Sequence, residues 1–264
     1  MARNRVIYQS EALYAVKTGA AAAEQLIRVQ DVSHTVDIAR QDVNEFGKLA
    51  AITRSVVEPP TVGTDFTYYL GTGGNEVLLG LTVGDGTVGA VSGLITSDGN
   101  LNQRNLYVRT VPEGEDVASN SANTVDSAIG IGNAFITDWT LNAAVGDIPS
   151  VSVSTEGNNM NVTTGMSAGG VLSANNAGLM SDGSAISVTT QTLPEGTTGT
   201  QSFGALRPGD VTLELGLDES MGGADIDQLH VQNCSVNIPL SRTSLNKLGD
   251  RYAYFKAPDV PVTA

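Results

Sequence analysis

An alternation of apolar and polar side chains runs through Val32-Ser33-His34-Thr35-Val36-Asp37-Ile38. A period of two is typical of a β-strand with one buried face, because successive side chains point to opposite sides. The pattern returns in six further segments, Val62–Phe66, Leu106–Arg109, Trp139–Ala143, Val151–Val153, Ile186–Val188 and Val211–Leu215. Asp-Gly and Pro-Glu-Gly turns lie between strands, without regular helices, which predicts a mainly β fold built as an antiparallel sandwich or barrel.

Helical signals are weak, and we expect one or two short helices. The best of them, Ala20–Ile27, fits a short helix and an ordered loop leading into a strand equally well. Residues from about 155 to 205 are rich in Gly, Ser, Asn and Thr, which predicts an insertion or an exposed loop region. The 264 residues are therefore interpreted as a single β domain, spanning 1–264, with this insertion.

The net charge of -14 is concentrated in the middle of the chain. Residues 110–230 hold one basic residue, Arg207, and 15 acidic residues, whereas the segments before and after them are nearly neutral. Two interpretations stay open, a solvated outer face and a functional electrostatic surface. In either case the chain is poorly suited to binding DNA tightly, because affinity for DNA comes largely from neutralising its phosphates.

The residues of catalysis and metal binding are scarce. Cys234 is the single cysteine, which excludes an intrachain disulfide and favours a small buried apolar role, and His34 and His230 have no cluster of metal ligands around them. Gly71–Gly74 and Gly130–Gly132 are not followed by Lys-Ser/Thr and are interpreted as turns. No apolar run reaches about 18 residues, so no membrane anchor is expected. The sequence predicts no enzyme, cofactor, metal or catalytic residue.

An internal repeat links the two ends of the chain. Val29–Gly47 aligns without a gap with Val231–Gly249, at an offset of 202. The identical pairs are Val29/Val231, Gln30/Gln232, Ser33/Ser235, Arg40/Arg242, Asn44/Asn246 and Gly47/Gly249. Each copy is interpreted as a strand, a charged shoulder and a short helical turn closed by its glycine, with Asp42 and Thr243 as helix N-caps. Proline-marked segments follow both copies, so we expect matching elements of one domain.

Four groups of segments resemble the major tail tube proteins of long-tailed bacteriophages. They are Arg28–Ser33 with Arg40–Ala50, Glu58–Val62 and Tyr68–Leu70; Arg104–Val108 with Glu113–Asp116; Ile129–Ala134 with Trp139, Val145–Pro149 and Asn158–Met160; and Val231–Gln232 with Arg242, Leu248–Gly249 and Arg251–Tyr252. The resemblance implies a tube domain that forms rings, stacked into a hollow tube through which the genome passes. It also implies six chains per ring, or three in relatives with two fused domains; the short second copy of the repeat favours six.

The resemblance implies that the chain is a structural virion protein of the phage tail, assembled in the host cytoplasm. Its partners would be other copies of itself, further tail proteins and double-stranded DNA passing without specific binding. The loop Arg40–Ile52 would contact neighbouring subunits or rings, with Arg40 and Arg242 pairing with carboxylates or forming local salt bridges. The interface candidates are Arg40, Asp42, Asn44, Gly47, Glu58, Pro59, Pro60, Arg242, Asn246, Gly249 and Arg251. The alternative is another acidic β-rich protein, such as a capsid decoration protein or an adhesin or carbohydrate-binding module.

Overall fold

A computed structural model describes residues 11–17, 23–58, 60–71, 73–84, 89–95, 103–114, 116–117, 126–164, 209, 231–249, 253 and 255–259. These residues form strands β1 (Glu11–Lys17), β2 (Glu24–Gln25), β3 (Val29–Asp37), β4 (Arg40–Val43), β5 (Thr53–Val56), β6 (Thr61–Tyr69), β7 (Arg104–Thr110), β8 (Ser127–Ala144), β9 (Ser150–Gly157), β10 (Asn159–Thr164), β11 (Asn233–Pro239), β12 (Arg242–Leu245) and β13 (Phe255–Pro258). Helix α1 covers Gly74–Leu79, and a 3-10 turn covers Ser92–Leu94.

The long strand β8 organises the antiparallel fold. Its first half pairs with β7 and β10, and with β1 and β2 beyond β7 this set forms sheet I. Its second half pairs with β9 and β11, and with β6 and β3 beyond β9 this set forms sheet II, in the order β3-β6-β9-β8-β11. The predicted mainly β, antiparallel fold with short helices is confirmed, but the described strands do not close into a barrel.

One apolar core joins the two sheets. Leu13, Leu106 and Ile131 of sheet I belong to the same buried cluster as Phe66 and Val153 of sheet II. In sheet II the alternation predicted from the sequence is realised in β6 and β9, which bury every second residue. It is not realised in β3, because this strand lies at the sheet edge and most of its residues are exposed. β1 is buried on both faces, since Ala12, Tyr14 and Val16 form a second cluster on its other side.

The internal repeat corresponds to two β-hairpins with the same register, not to helical turns. In arm 1, residues 40–56, Arg40 pairs with Val56 and Val43 with Thr53. In arm 2, residues 242–258, Arg242 pairs with Pro258 and Leu245 with Phe255, an offset of 202 at each position. The helical turn and the N-cap roles of Asp42 and Thr243 were wrong, because both residues lie in strands.

Each arm follows an edge strand of sheet II and is separated from the sheet by a break. The amide of Val57 donates to the Ala39 carbonyl at 3.1 Å, and the amide of Asp259 donates to the Ser241 carbonyl at 3.0 Å, again at the same offset. In arm 1 the ladder does not resume until Thr61, and Pro60 in the gap has no N–H to donate. The predicted left-handed glycines are confirmed, with φ of 92° at Gly47 and 97° at Gly249.

Four further expectations need correction or stay outside the described residues. The described part of Ala20–Ile27, residues 23–27, contains the short strand β2 and leads into β3, which fits the loop alternative and not the helix. Gly130–Gly132 lies inside β8 rather than in a turn. The first residues of the predicted insertion, up to Thr164, lie in the paired strands β9 and β10, and the insertion at about 155–205 stays a prediction. Cys234 is half-buried at the edge of sheet II instead of fully buried. Residues 165–205 and most of the acidic segment lie outside the described residues.

Candidate assembly surface

Sheet II ends in two strands that each have one partner among the described residues. β3 pairs only with β6, and β11 only with β8. Four antiparallel pairings separate β3 from β11, so the two edge strands run in the same direction. Most residues of both strands are exposed. A strand edge of this kind presents unpaired N–H and C=O groups that a further strand can satisfy.

The outer face of sheet II consists of polar side chains arranged in cross-strand rows. The residues of these rows are Tyr69, Ser150, Asn142 and Ser235; Asp31, Thr67, Ser152, Thr140 and Asn237; and Ser33, Asp65, Ser154 and Asp138. The amide of Asn237 donates to Asp138 Oδ2 at 2.9 Å, and the side chains of Thr67 and Asp31 are hydrogen-bonded. The rows contain three carboxylates and no lysine or arginine, so their formal charge is negative.

Arm 1 is exposed to solvent and carries apolar side chains at its tip. All eight residues of β4 and β5 are exposed. Phe46 and Leu49 are exposed to 107% and 110% of their reference areas. A surface pair holds the hairpin, with Arg54 Nε 2.6 Å from Asp42 Oδ1. Arg40 is exposed and makes no ion pair with any described residue, so its predicted pairing with a carboxylate requires another partner.

Arm 2 is attached to the body of the protein at its base. The Arg242 guanidinium lies 4.7 Å from the Phe135 ring centre and donates through Nη2 to the Leu94 carbonyl at 2.7 Å. Lys256 is 4% exposed and is paired with Glu156. Burial lowers the pKa of Arg242. The same main cause lowers the pKa of Lys256, and Glu156 opposes that shift. The Arg242 side chain therefore has a packing role that Arg40 lacks.

The predicted interface residues gather at the tips and bases of the arms. Asn44 and Gly47 lie in the exposed tip of arm 1, and Asn246 and Gly249 in that of arm 2. Glu58 and Pro60 lie where arm 1 joins the sheet. Pro59 and Arg251 are outside the described residues. The sequence prediction missed the exposed apolar residues Phe46, Leu49 and Leu248; the available signal was that each lies within two residues of a turn glycine.

A small cavity opens where the starts of β1 and β3 meet. It has a volume of about 130 Å³ and is lined by Glu11, Ala12, Leu13, Val29, Gln30, Asp31, Val32 and Val108. Five of these residues are apolar, and the carboxylates come from Glu11 and Asp31. Partial burial raises the pKa of Glu11, and the nearby His34 opposes this shift. The cavity therefore combines space for an apolar group with a rim that favours a cation.

Two buried polar networks serve the core rather than this surface. Arg109 Nη2 lies 2.9 Å from Asp126 Oδ2, and both side chains are fully buried. The Tyr68 hydroxyl donates to Glu76 Oε1 at 2.8 Å and accepts from Trp139 Nε1 at 3.4 Å. Burial and the Glu76 charge raise the pKa of Tyr68. Neither network opens onto the surfaces described above, so both are interpreted as structural.

Searches of the described residues for two other kinds of site were negative. No cluster of three or more His, Cys, Asp or Glu side chains is arranged to hold a metal ion in the part of the chain that the structure describes. Within the same residues, no helix has the length and apolarity needed to cross a membrane.

Two solved structures resemble part of the fold of this chain. No protein-family model and no curated protein matches the sequence. The tube-terminating cap of the anti-feeding prophage is similar over 60% of this chain and 89% of its own, with 8% identity and a TM-score of 0.38. A chain of the sheath–tube complex of an extracellular contractile injection system, PVC, in the extended state is similar over 62% and 94%, with 8% identity and a TM-score of 0.41. The function is therefore inferred from this chain's own surfaces.

Proposed function

We propose that this chain is a structural virion protein that assembles into rings, and that the rings stack into the tube of a long phage tail. The observation that carries the proposal is the pair of parallel edge strands, β3 and β11, at opposite sides of sheet II. Two different edges that meet between copies form a heterologous contact. Such a contact produces a closed ring when the rotation between copies closes.

Ring formation would pair the backbone N–H and C=O groups that the edge strands β3 and β11 leave unpaired in the isolated chain. In one ring contact, β3 of one copy lies beside β11 of the next and extends sheet II from subunit to subunit. Rotation about an axis along the strands preserves strand direction, so this pairing would be parallel. We propose six chains per ring, because the described residues of each chain contain one sheet II and not two.

The outer face of sheet II suits the wall of a DNA conduit. Its rows carry Asp31, Asp65 and Asp138 among hydroxyl and amide side chains, with no basic residue. Such a wall would repel phosphates and avoid the counterion-release attraction that lysine or arginine creates. DNA would then pass without specific binding. The assembled tube would be built in the host cytoplasm and would join other tail proteins at its ends.

Electron microscopy of the purified full chain tests this function. We expect negatively stained hollow rings and short stacked tubes, and a sedimentation coefficient that rises with concentration. A chain that stays strictly monomeric at high concentration, under both low and high salt, would contradict the proposal. A monomer that binds sugars or capsids would instead support the adhesin or decoration alternative.

A further inference from the structure

The apolar tip of arm 1 and the cavity beside β3 lie at opposite ends of the same strand. Arm 1 begins three residues after the end of β3 at Asp37, whereas the cavity is lined by Val29–Val32 at its start. At about 3.3 Å per residue, β3 alone is roughly 26 Å long. The fully exposed Phe46 does not fill the cavity of its own chain.

The cavity has the size and lining that an aromatic ring requires. An apolar protein cavity of roughly 150 Å³ is known to bind benzene, and this one measures about 130 Å³. Leu13, Val29, Val32 and Val108 supply apolar lining. The tip offers Phe46, which is fully exposed to water, so transfer of its ring into the cavity would be favoured by the hydrophobic effect.

Lys48 of the tip can complement the carboxylates of the cavity. Lys48 follows Phe46 by two residues and pairs with Glu45 on the exposed tip. Exposed pairs of this kind are weak, so Lys48 can exchange partners. Glu11 and Asp31 at the cavity provide two carboxylates. A docked tip would bring the ammonium group of Lys48 to this rim.

We propose that Phe46 of one copy inserts into the β1–β3 cavity of a second copy, with Lys48 beside Glu11 and Asp31. The proposal rests on the assembly proposed above and names the contact that stacks one ring on the next. Because the tip and the cavity lie at opposite ends of β3, the contact is heterologous, and the second copy keeps a free tip for a third. Repetition of the contact therefore extends an open stack instead of closing a dimer.

Disulfide cross-linking of the full chain tests the contact directly. In a Cys234→Ser background, Phe46→Cys supplies the tip thiol and Gln30→Cys the cavity thiol. Oxidation is expected to give a ladder of covalent multimers on a non-reducing gel, which reduction removes. The matched control combines Gln30→Cys with Val77→Cys, since Val77 is an exposed apolar residue of α1. The control is expected to give no ladder. An intrachain disulfide in the first variant would show that the tip reaches its own cavity and would overturn the proposal.

Substitution of the tip separates stacking from ring formation. Phe46→Ala is expected to preserve single rings and to raise the concentration needed for tubes at least tenfold, whereas Phe46→Leu and the control Val77→Ala stay close to wild type. Charge reversal with Lys48→Glu should weaken stacking, and Glu11→Lys added to it should restore it. Tubes that form normally with Phe46→Ala and give no ladder would overturn this contact and leave ring assembly intact. Absence of rings in the wild type would instead contradict the proposed function.

Discussion

The Arg242 guanidinium carbon lies 4.7 Å from the centre of the Phe135 ring, a geometry that favours a cation–π interaction. Arg40, the counterpart of Arg242 in the internal repeat, lies exposed on arm 1. Two hairpins of the same register therefore differ in attachment. The base of arm 2 is fixed to the body through Arg242 and Lys256, whereas the strands of arm 1 are fully exposed, although both tips carry exposed apolar side chains. The difference predicts separate roles, with arm 2 supporting the subunit and arm 1 reaching another copy.

Loss of the Glu156 carboxylate should destabilise the base of arm 2. Glu156→Gln leaves Lys256 buried without its anionic partner, and we expect a loss of about 1–3 kcal/mol in the free energy of unfolding. Urea denaturation measures it. Glu45→Gln is the matched control, because Glu45 pairs with Lys48 on the surface, and it should change stability by less than about 0.5 kcal/mol. Equal effects of the two substitutions would contradict the buried attachment.

The lowered pKa of Lys256 predicts a pH dependence of stability. Burial disfavours its charged form, so the folded pKa lies below the ordinary value of 10.5. Between those two pKa values the unfolded chain binds more protons, so this group makes stability rise as pH increases. Lys256→Met should remove that contribution. Urea denaturation from neutral pH to pH 10.5 measures the unfolding free energies of wild type and variant. We expect the wild type to gain stability relative to the variant as pH rises. A constant difference between them would count against the lowered pKa.

The fully buried ion pair should make Asp126 far more sensitive to substitution than a surface acid. Asp126→Asn removes the negative charge that faces Arg109, and the loss of this buried ion pair should cost about 3–5 kcal/mol. Asp42→Asn, which breaks the exposed pair with Arg54, should cost less than about 1 kcal/mol. Thermal unfolding followed by circular dichroism compares the two. Similar midpoints would show that the Asp126 site admits water.

Two glycines should respond oppositely to alanine. A Cβ at Gly157 would lie 2.8 Å from Ile131 Cγ2 and 3.0 Å from the Gly132 carbonyl oxygen, so Gly157→Ala should destabilise the fold by about 1–3 kcal/mol. Gly74, the first residue of α1, has nothing within 4 Å of that position. Gly74→Ala should be neutral or stabilising by up to about 1 kcal/mol, since alanine favours the helix. Chemical denaturation decides, and a tolerated alanine at Gly157 would contradict this packing.

The polar face of sheet II should bind DNA once it is made basic. Lysine at Thr67, Ser152 and Thr140 places three cations in one cross-strand row. If the face lines a lumen, assembled tubes should retain short linear duplexes, with retention falling steeply as salt rises, but should not retain closed circular DNA, which cannot thread the tube. Cosedimentation measures both. Equal retention of the two DNA forms would place the row on the outside, and wild-type tubes serve as the control.

The sequence predicted the local structure well where side-chain alternation is strong. The period of two at Val151–Val153 predicted β9, because burial of one sheet face requires that pattern. The same period at Val32–Ile38 predicted a strand correctly, but β3 lies at the sheet edge and most of its residues are exposed. The prediction failed around Asp42, where the repeat was interpreted as a helical turn. Polar residues followed by glycine suit a helix cap and a hairpin tip alike, and only the partner strand β5 distinguishes them.

The internal repeat and the acidic composition follow from the sequence alone, since both are read from residue identities and spacing. Which arginine of the repeat is packed and which is exposed depends on tertiary structure, because Phe135 and Leu94 lie far from Arg242 in the chain. The placement of the Phe46 tip and the β1–β3 cavity at opposite ends of β3 also depends on tertiary structure. It requires β3 to be a sheet edge facing β1, and strand order is set by contacts between distant segments that local patterns do not encode.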